Sequence, residues 1–208
     1  SGTLVGTTRR GGGIYITGGS AQIEDCTITE NILQAAQNTT SIGGGVCKDL
    51  AAGSLQISAC AITNNEARAG LCSTGLGGGL YGNGNITMLD CVLAGNLATG
   101  VGCGGGQPGG GTGAGLYLAG LTSASLIVNC MIHDNHATGQ NGGARAAGVR
   151  ISNAVVTFVH CNITSNSTSN SLSGSNVSSG LESNGPGYPV SLIGCTIANN
   201  TLGTPGFI

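Results

Sequence analysis

Apolar and polar positions alternate along this chain in short stretches that return at a nearly constant spacing. One pattern recurs six times: an apolar residue, two further positions, Cys, one position, Ile or Leu, two positions and Asn. Its matches are Ile23–Cys26–Ile28–Asn31, Ile57–Cys60–Ile62–Asn65, Met88–Cys91–Leu93–Asn96, Ile127–Cys130–Ile132–Asn135, Phe158–Cys161–Ile163–Asn166 and Leu192–Cys195–Ile197–Asn200. The Cys-to-Cys steps of 34, 31, 39, 31 and 34 residues indicate a repeat architecture.

A second pattern lies between these matches, where a patch of small residues ends in Gly followed by an aliphatic residue. The pairs are Gly13-Ile14, Gly45-Val46, Gly79-Leu80, Gly115-Leu116, Gly148-Val149 and Gly180-Leu181. The alternating stretch Gly13-Ile14-Tyr15-Ile16 is typical of a strand with one apolar face, and no window has a convincing helical period. We therefore predict an all-β parallel β-helix, a β-solenoid of about six coils without capping helices.

A single domain is predicted to span residues 1–208. The six repeats lie between residues 11 and 202, and residues 1–10 and 201–208 are predicted to be partial coils at the two ends.

The two patterns resemble the GGA[ILV] and FxxN repeats of chlamydial polymorphic outer-membrane proteins and, more broadly, right-handed parallel β-helix surface proteins. Here the first pattern reads Gly-Gly-Gly followed by Ile, Val or Leu, and the second reads Ile/Leu-x-x-Asn. The resemblance covers roughly residues 11 to 202 and implies a right-handed coil. This chain differs by having Ile or Leu in place of Phe, and by its regular Cys. Because solenoids host many activities, the resemblance bears on fold more than on function.

The repeated Asn residues are predicted to stack into an Asn ladder. Its members are Asn31, Asn65, Asn96, Asn135, Asn166 and Asn200. An Asn at a bend can adopt the left-handed backbone conformation and hydrogen-bond the backbone of the neighbouring coil. A ligand-binding row is the alternative.

The repeated Cys residues are predicted to form a buried Cys ladder, because each alternates with an inward Ile or Leu. Its members are Cys26, Cys60, Cys91, Cys130, Cys161 and Cys195. They are either small buried apolar side chains or pairwise disulfides between rungs about 4.8 Å apart. Four Cys at zinc-binding spacing are absent from the sequence, and we expect neither a metal nor a cofactor.

Three further Cys residues lie outside this ladder. Cys72 and Cys103 each follow a ladder Cys by 12 residues, so we predict a disulfide between them in consecutive coils. Cys47 is predicted to point outward. Since nine Cys is an odd number, we expect Cys47 to be an exposed thiol that is free or bonded to another subunit.

The outward column that contains Cys47 is a candidate binding face. It comprises Tyr15, Cys47, Tyr81, Tyr117, Arg150 and Glu182. Tyr rows can stack on sugars, which would make glycans partners. The alternative is that neighbouring side chains stack on one another and protect the sheet surface.

The chain contains six Asn-x-Ser/Thr sequons. We expect glycosylation at five of them: Asn38, Asn85, Asn162, Asn176 and Asn199. The sixth, Asn166, belongs to the Asn ladder and is expected to stay unmodified.

Composition narrows the function classes. Gly accounts for 41 of 208 residues and charged residues for 7%, but Gly does not recur at every third position, which excludes collagen. An apolar share of 39% argues against disorder. A net charge of −2 makes nucleic acid a poor partner, and no apolar run is long enough to predict a membrane span.

Catalysis is not indicated. The acidic residues are scattered over different coils, and His133, His136 and His160 form no triad that spacing supports, so we predict that the chain is not an enzyme. Ice binding is disfavoured because the outward Thr27 and Thr29 have no counterparts in the third coil.

Neither end of the sequence carries an evident cap. We therefore expect copies to stack head to tail into a structural filament, as an extracellular or cell-surface glycoprotein. The alternatives are a fragment of a longer β-helical adhesin, a carbohydrate-binding surface protein and, less favoured, a polysaccharide-active enzyme.

Overall fold

The computed structural model describes residues 2–103, 109–120, 124–140, 143–170 and 177–203, and every regular element within them is a β-strand. The strands form four six-stranded sheets and one five-stranded sheet. The first sheet contains Ile14–Ile16, Val46–Lys48, Leu80–Asn83, Leu116–Ala119, Val149–Ser152 and Leu181–Asn184. The second contains Ala21–Glu24, Ser54–Ser58, Asn85–Leu89, Ala124–Val128, Val155–Val159 and Val190–Ile193.

The remaining three sheets complete each coil. The third contains Thr27–Thr29, Ala61–Thr63, Val92–Ala94, Met131–His133, Asn162–Thr164 and Thr196–Ala198. The fourth contains Ile32–Gln34, Glu66–Leu71, Leu97–Val101, His136–Gln140, Ser167–Asn170 and Thr201–Leu202. The fifth contains Thr3–Val5, Thr8–Arg10, Thr40–Ile42, Gly75–Leu76 and Gly111–Thr112.

Strands from consecutive coils pair in parallel and in register. In the third sheet Ile28 lies beside Ile62, and Ile62 lies beside Leu93. Each sheet therefore stacks equivalent repeat positions, which confirms the predicted parallel β-solenoid. Its six rungs make about five turns, close to the six coils predicted. Thr3–Val5 is the exception, because it folds back antiparallel onto Thr8–Arg10.

The core is a set of columns that run along the solenoid axis. Inward side chains such as Ile62, Leu93, Ile132 and Ile163 have no exposed surface, because each is covered by the rungs on both sides. Burial of such a side chain contributes roughly 1.5–3 kcal/mol relative to leaving it exposed. The repeated apolar positions of the sequence are thus the packing positions of the fold.

The chain turns at both ends of each third-sheet strand through residues with positive φ. One column of such residues precedes the Cys ladder: Asp25, Ala59, Asp90, Asn129, His160 and Gly194. The other precedes the Asn ladder: Glu30, Asn64, Gly95, Asp134, Ser165 and Asn199. The prediction that the ladder Asn itself adopts the left-handed conformation is wrong by one residue, because the preceding residue makes the bend and the Asn side chain is left to bond its neighbours.

The two end rungs differ in how far they are covered. In the first rung Leu33 is fully buried, and the backbone of Gly2 lies against its side chain. In the last rung Leu202 is 56% exposed and Ile197 is 45% exposed. The segment that contains Thr3–Val5 thus covers part of the first rung, whereas the last rung of the described residues presents apolar side chains to solvent.

Candidate functional site

The Asn ladder is a continuous chain of hydrogen bonds across the rungs. The Oδ1 atom of Asn135 accepts from the backbone N–H and the Nδ2 group of Asn96, at 3.0 Å each. The Nδ2 group of Asn135 also donates to the Leu93 carbonyl at 3.0 Å and to Asn166 Oδ1 at 2.9 Å. The four interior side chains, Asn65, Asn96, Asn135 and Asn166, are fully buried and saturated by protein groups, so the structure leaves them nothing with which to bind a ligand.

The Gly patch and the Asn ladder fit directly against each other. A Cβ atom added to Gly79 would lie 2.9 Å from Asn96 Nδ2, and one added to Gly148 would lie 2.8 Å from Asn166 Nδ2. Any side chain at these positions would therefore displace the ladder. The two sequence patterns are the two halves of one contact.

The Cys ladder is built in a similar way at the opposite end of the third-sheet strands. The thiol of Cys91 donates to the carbonyls of Leu89 at 3.1 Å and Ile57 at 3.6 Å. Hydrogen bonding to Cys161 and Cys91, together with burial, raises the pKa of Cys130. That thiol therefore stays protonated at neutral pH, whereas hydrogen bonding to Cys130 lowers the pKa of its neighbours Cys91 and Cys161.

The prediction that the whole Cys ladder is buried is wrong at its two ends. Cys60, Cys91, Cys130 and Cys161 are buried, but Cys26 is exposed and Cys195 is only partly buried. All six side chains occupy equivalent positions; those in the first and last rungs lack a covering rung on one side. The structure forms no disulfide within this ladder.

Cys72 and Cys103 are joined by a disulfide between consecutive coils. Their Cα atoms are 4.8 Å apart, which equals the spacing of neighbouring rungs and lies within the range that a disulfide spans.

The prediction that Cys47 is exposed is wrong, because its side chain is fully buried. It does lie between Tyr15 and Tyr81 in register. The bend before the Gly patch folds over this outer face of the first sheet: a Cβ on Gly43 would lie 2.6 Å from Cys47 Cβ. Burial raises the pKa of Cys47 to about 12, so the thiol is neutral at neutral pH.

Ion pairs occupy both ends of the outer column that contains Cys47. At one end Asp49 accepts from the Tyr15 hydroxyl at 3.2 Å and pairs with Arg10 at 3.0 Å. At the other end Glu182 pairs with Arg150, which is buried, and lies 3.8 Å from Arg145. These charges are partnered within the chain.

The two Tyr rings at the centre of this column stack on each other. The ring centroids of Tyr81 and Tyr117 are 5.3 Å apart with an interplanar angle of 21°. Burial also raises the pKa of Tyr81. A sugar would need a free ring face, and these two rings use a face on each other, so the column matches mutual protection of the sheet better than glycan recognition.

Lys48 was missed by the sequence reasoning. Its side chain is fully buried, and Nζ donates to the carbonyls of Asn83 at 3.0 Å, Ala52 at 3.3 Å and Leu50. Burial lowers the pKa of this ammonium group. The signal was its period-2 position relative to the inward Val46, because alternation directs Lys48 to the same side.

The predicted glycosylation sites differ in accessibility. Asn38, Asn162 and Asn199 are exposed, Asn85 is partly buried, and Asn176 lies outside the described residues. Asn166 is fully buried in the Asn ladder.

No catalytic constellation is evident among the described residues. His136 contacts the hydroxyls of Ser167 at 2.8 Å and Ser169 at 3.0 Å, whereas His133 pairs with Asp134 at 2.7 Å. No group of three or more His, Cys, Asp or Glu side chains in this part of the chain is arranged to hold a metal ion. It also contains no helix long and apolar enough to cross a bilayer.

Two end faces remain as the candidate functional surfaces. At one end the edges of the first four sheets are Ile14–Ile16, Ala21–Glu24, Thr27–Thr29 and Ile32–Gln34. At the other end they are Leu181–Asn184, Val190–Ile193, Thr196–Ala198 and Thr201–Leu202. Such edges present backbone donors and acceptors that can pair with a further strand.

Comparison with known proteins supports the architecture. The family described as right-handed β-helix region matches residues 8–202. No curated protein and no solved structure matches the chain. The likeness of its two sequence patterns to polymorphic outer-membrane repeats stays a resemblance.

Proposed function

We propose that this chain, which belongs to the right-handed β-helix family, is a structural subunit whose copies stack head to tail into a filament outside the cell or on its surface. The observation that carries the proposal is the complementarity of the two end faces. Away from Leu33, which Gly2 covers, each face presents one half of a rung-to-rung contact that the chain already makes five times internally.

Hydrogen bonding favours one direction of stacking. Asn166 donates its backbone N–H to Asn200 Oδ1 at 3.0 Å, as every earlier member of the Asn ladder does to the next. In the same direction, the N–H of Asn200 in one copy would donate to Asn31 Oδ1 in the following copy. The two ends of the ladder thus complement each other.

The apolar columns also match across such a junction. Leu181, Leu192 and Ile197 in the last rung belong to the same columns as Ile14, Ile23 and Ile28 in the first. Stacking would bring these side chains together and remove the last rung from water. Because the two faces differ, the contact does not close on itself and generates a filament.

A structural role also agrees with the chemistry of the side walls. The buried polar groups of the Asn ladder are satisfied within the chain, and the charges of the outer column have partners. We include the exposed sequons Asn38, Asn162 and Asn199 in the proposal as glycan sites, because sugars there would shield a surface poor in charge.

A longer β-helical adhesin is the second candidate, favoured by the same open face at Ile197 and Leu202. In that protein, further coils of its own chain would cover the face. A carbohydrate-binding role is less favoured, because the rings of Tyr81 and Tyr117 stack on each other and the two facing ring surfaces are closed to a sugar.

The test is assembly of the purified full chain, measured by light scattering and negative-stain electron microscopy. We expect filaments one solenoid wide, and we expect Ile197→Glu, at a side chain that is 45% exposed in the last rung, to abolish them by placing a charge in the junction. Leu126→Glu is the matched control: Leu126 is 40% exposed but lies on a side wall, so filaments should persist. A wild-type chain that stays monomeric at high concentration would contradict the proposal and favour the longer adhesin.

A further inference from the structure

We propose that Cys195 of one copy and Cys26 of the next form a disulfide that locks the filament covalently. This inference rests on the head-to-tail stacking proposed above. It names the modification site at each junction, to which both copies contribute one thiol.

The Cys ladder has the same geometry at its ends as in its interior. The backbone N–H of Cys26 donates to Cys60 Sγ at 3.4 Å, and that of Cys161 donates to Cys195 Sγ at 3.4 Å. A rung added beyond Cys195 in the same register would place its own ladder Sγ against the N–H of Cys195. In a stacked copy that sulfur belongs to Cys26.

Accessibility singles out the same two residues. The four interior members of the ladder are 0–2% exposed, whereas Cys26 is exposed and Cys195 is partly buried. Cys47 is also fully buried. In the unstacked chain, an oxidant in solution therefore reaches, among the free thiols of the described residues, the two that would meet at the junction.

Rung spacing suits a bridge in this solenoid. Cys72 and Cys103 occupy equivalent places in consecutive coils, and their disulfide has a Cα–Cα distance of 4.8 Å. Neighbouring rungs of parallel strands lie about 4.8 Å apart, so Cys195 and Cys26 of stacked copies would approach to a similar distance. The ladder pairs within the chain share this spacing and are free thiols, but each of those pairs contains a buried thiol that an oxidant does not reach.

The chemistry is a two-electron oxidation. The Sγ–Sγ bond forms as the two thiols lose two protons and two electrons to a thiol oxidant. With diamide as the oxidant, the azo compound takes up both protons and both electrons and becomes the hydrazine. No other bond in the protein breaks.

The experiment lets the full chain assemble in the presence of diamide, blocks remaining thiols with N-ethylmaleimide, and separates the products on a non-reducing denaturing gel. We expect a series of dimers, trimers and longer species that dithiothreitol returns to monomer. Peptide mapping should recover Cys26 linked to Cys195. The variants Cys26→Ser and Cys195→Ser should each give only monomer on the gel while still forming filaments, and Cys47→Ser should behave as the wild type.

The outcomes separate this inference from the proposed function. Filaments that yield no Cys26–Cys195 peptide, or only a Cys26–Cys60 bridge within one copy, overturn the cross-link and leave the stacking intact. A chain that scatters light as a monomer overturns both. Covalent species that persist in Cys26→Ser show that other thiols react and also overturn the assignment.

Discussion

Gly115 lies directly against the side chain of Asn135. A Cβ atom on Gly115 would stand 2.8 Å from Asn135 Nδ2 and 2.8 Å from the Gly148 carbonyl of the next rung. One residue belongs to the Gly patch and the other to the Asn ladder, and they are brought together by a turn of the chain.

Gly115→Ala should destabilise the fold. The added methyl group overlaps both a ladder side chain and a backbone carbonyl, and overpacking of this kind costs roughly 1–3 kcal/mol. Chemical denaturation would measure the free energy of unfolding. Gly18→Ala is the control, because the nearest atom to its Cβ would be Leu50 Cδ1 at 3.8 Å. Equal losses in both variants would argue against the packing contact.

Asn135→Ala should lower the free energy of unfolding by about 2–3 kcal/mol. The change removes the acceptor for two Asn96 donors and leaves the Leu93 carbonyl without its side-chain partner in a buried site. Asn162→Ala is the control, since that side chain is exposed on the third sheet and should change stability by less than about 0.5 kcal/mol. An Asn135→Ala variant as stable as the control would contradict a structural ladder.

Cys47 should make the protein sensitive to alkaline pH. Its pKa is raised by burial from 9.0 to about 12, so the folded state holds its proton more tightly than the unfolded state does. The stabilisation is complete below about pH 9 and is lost between about pH 9 and 12, at up to about 1.4 kcal/mol per pH unit. Unfolding free energies at pH 8 and 10.5 should therefore fall more in the wild type than in Cys47→Ala. Parallel decreases would show that Cys47 does not contribute.

Lys48 should be essential to stability although it forms no ion pair in the described structure. Lys48→Met removes the donor to three carbonyls, which we expect to cost at least about 2 kcal/mol. Arg145→Met is the comparison: Arg145 is half-exposed and lies 3.8 Å from Glu182, which keeps its pair with Arg150, so its loss should cost less than about 1 kcal/mol.

A chemical readout tests the burial of Lys48 independently. Lys48 is the only Lys of the chain, so peptide mapping after amine acylation distinguishes this one side chain from the N-terminal amine. In the folded protein an N-hydroxysuccinimide ester should leave Lys48 unmodified, and it should acylate Lys48 in denaturant. Rapid acylation of the folded protein would contradict its burial.

Removal of residues 1–7 should accelerate assembly. The segment covers Leu33 through Gly2, and Thr3–Val5 occupies the free edge of Thr8–Arg10. Both become available to a second copy when the segment is absent. Light scattering should show a shorter lag than for the full chain, and Leu202→Glu in the truncated background should restore the monomer. A longer lag would mean that the segment contributes to the junction.

Periodic contacts were predictable from the sequence because a solenoid is nearly one-dimensional. Each residue meets the equivalent residue of the next coil, so equal offsets in the sequence become neighbours in space. The 12-residue offset of Cys72 and Cys103 from the Cys ladder led to the pair that the structure joins. Equal sequence offsets also predicted that the Asn ladder stacks, and this prediction did not require the shape of the coil in cross-section.

Contacts that depend on the cross-section were not predictable in this way. The Cys47 side chain points away from the solenoid core, as alternation indicated, yet the bend at Gly43 covers it. The inward direction of Lys48 follows from alternation, but only the tertiary structure shows that residues 49–53 and Asn83 of the next rung provide the carbonyls that make its burial tolerable. The direction in which each bend folds over a neighbouring sheet is not encoded by a repeated sequence pattern.

By itself, the sequence determined the solenoid, its six rungs and the residues that stack in each column, because a repeated pattern of inward and outward positions admits one efficient way to bury its apolar faces. Only the tertiary structure decided that the Gly patch packs on the Asn ladder, that Cys47 and Lys48 are enclosed, and that Cys26 and Cys195 are the accessible members of the Cys ladder. The physical reason is that stacking follows from translation along the axis, whereas enclosure depends on how each coil closes around it.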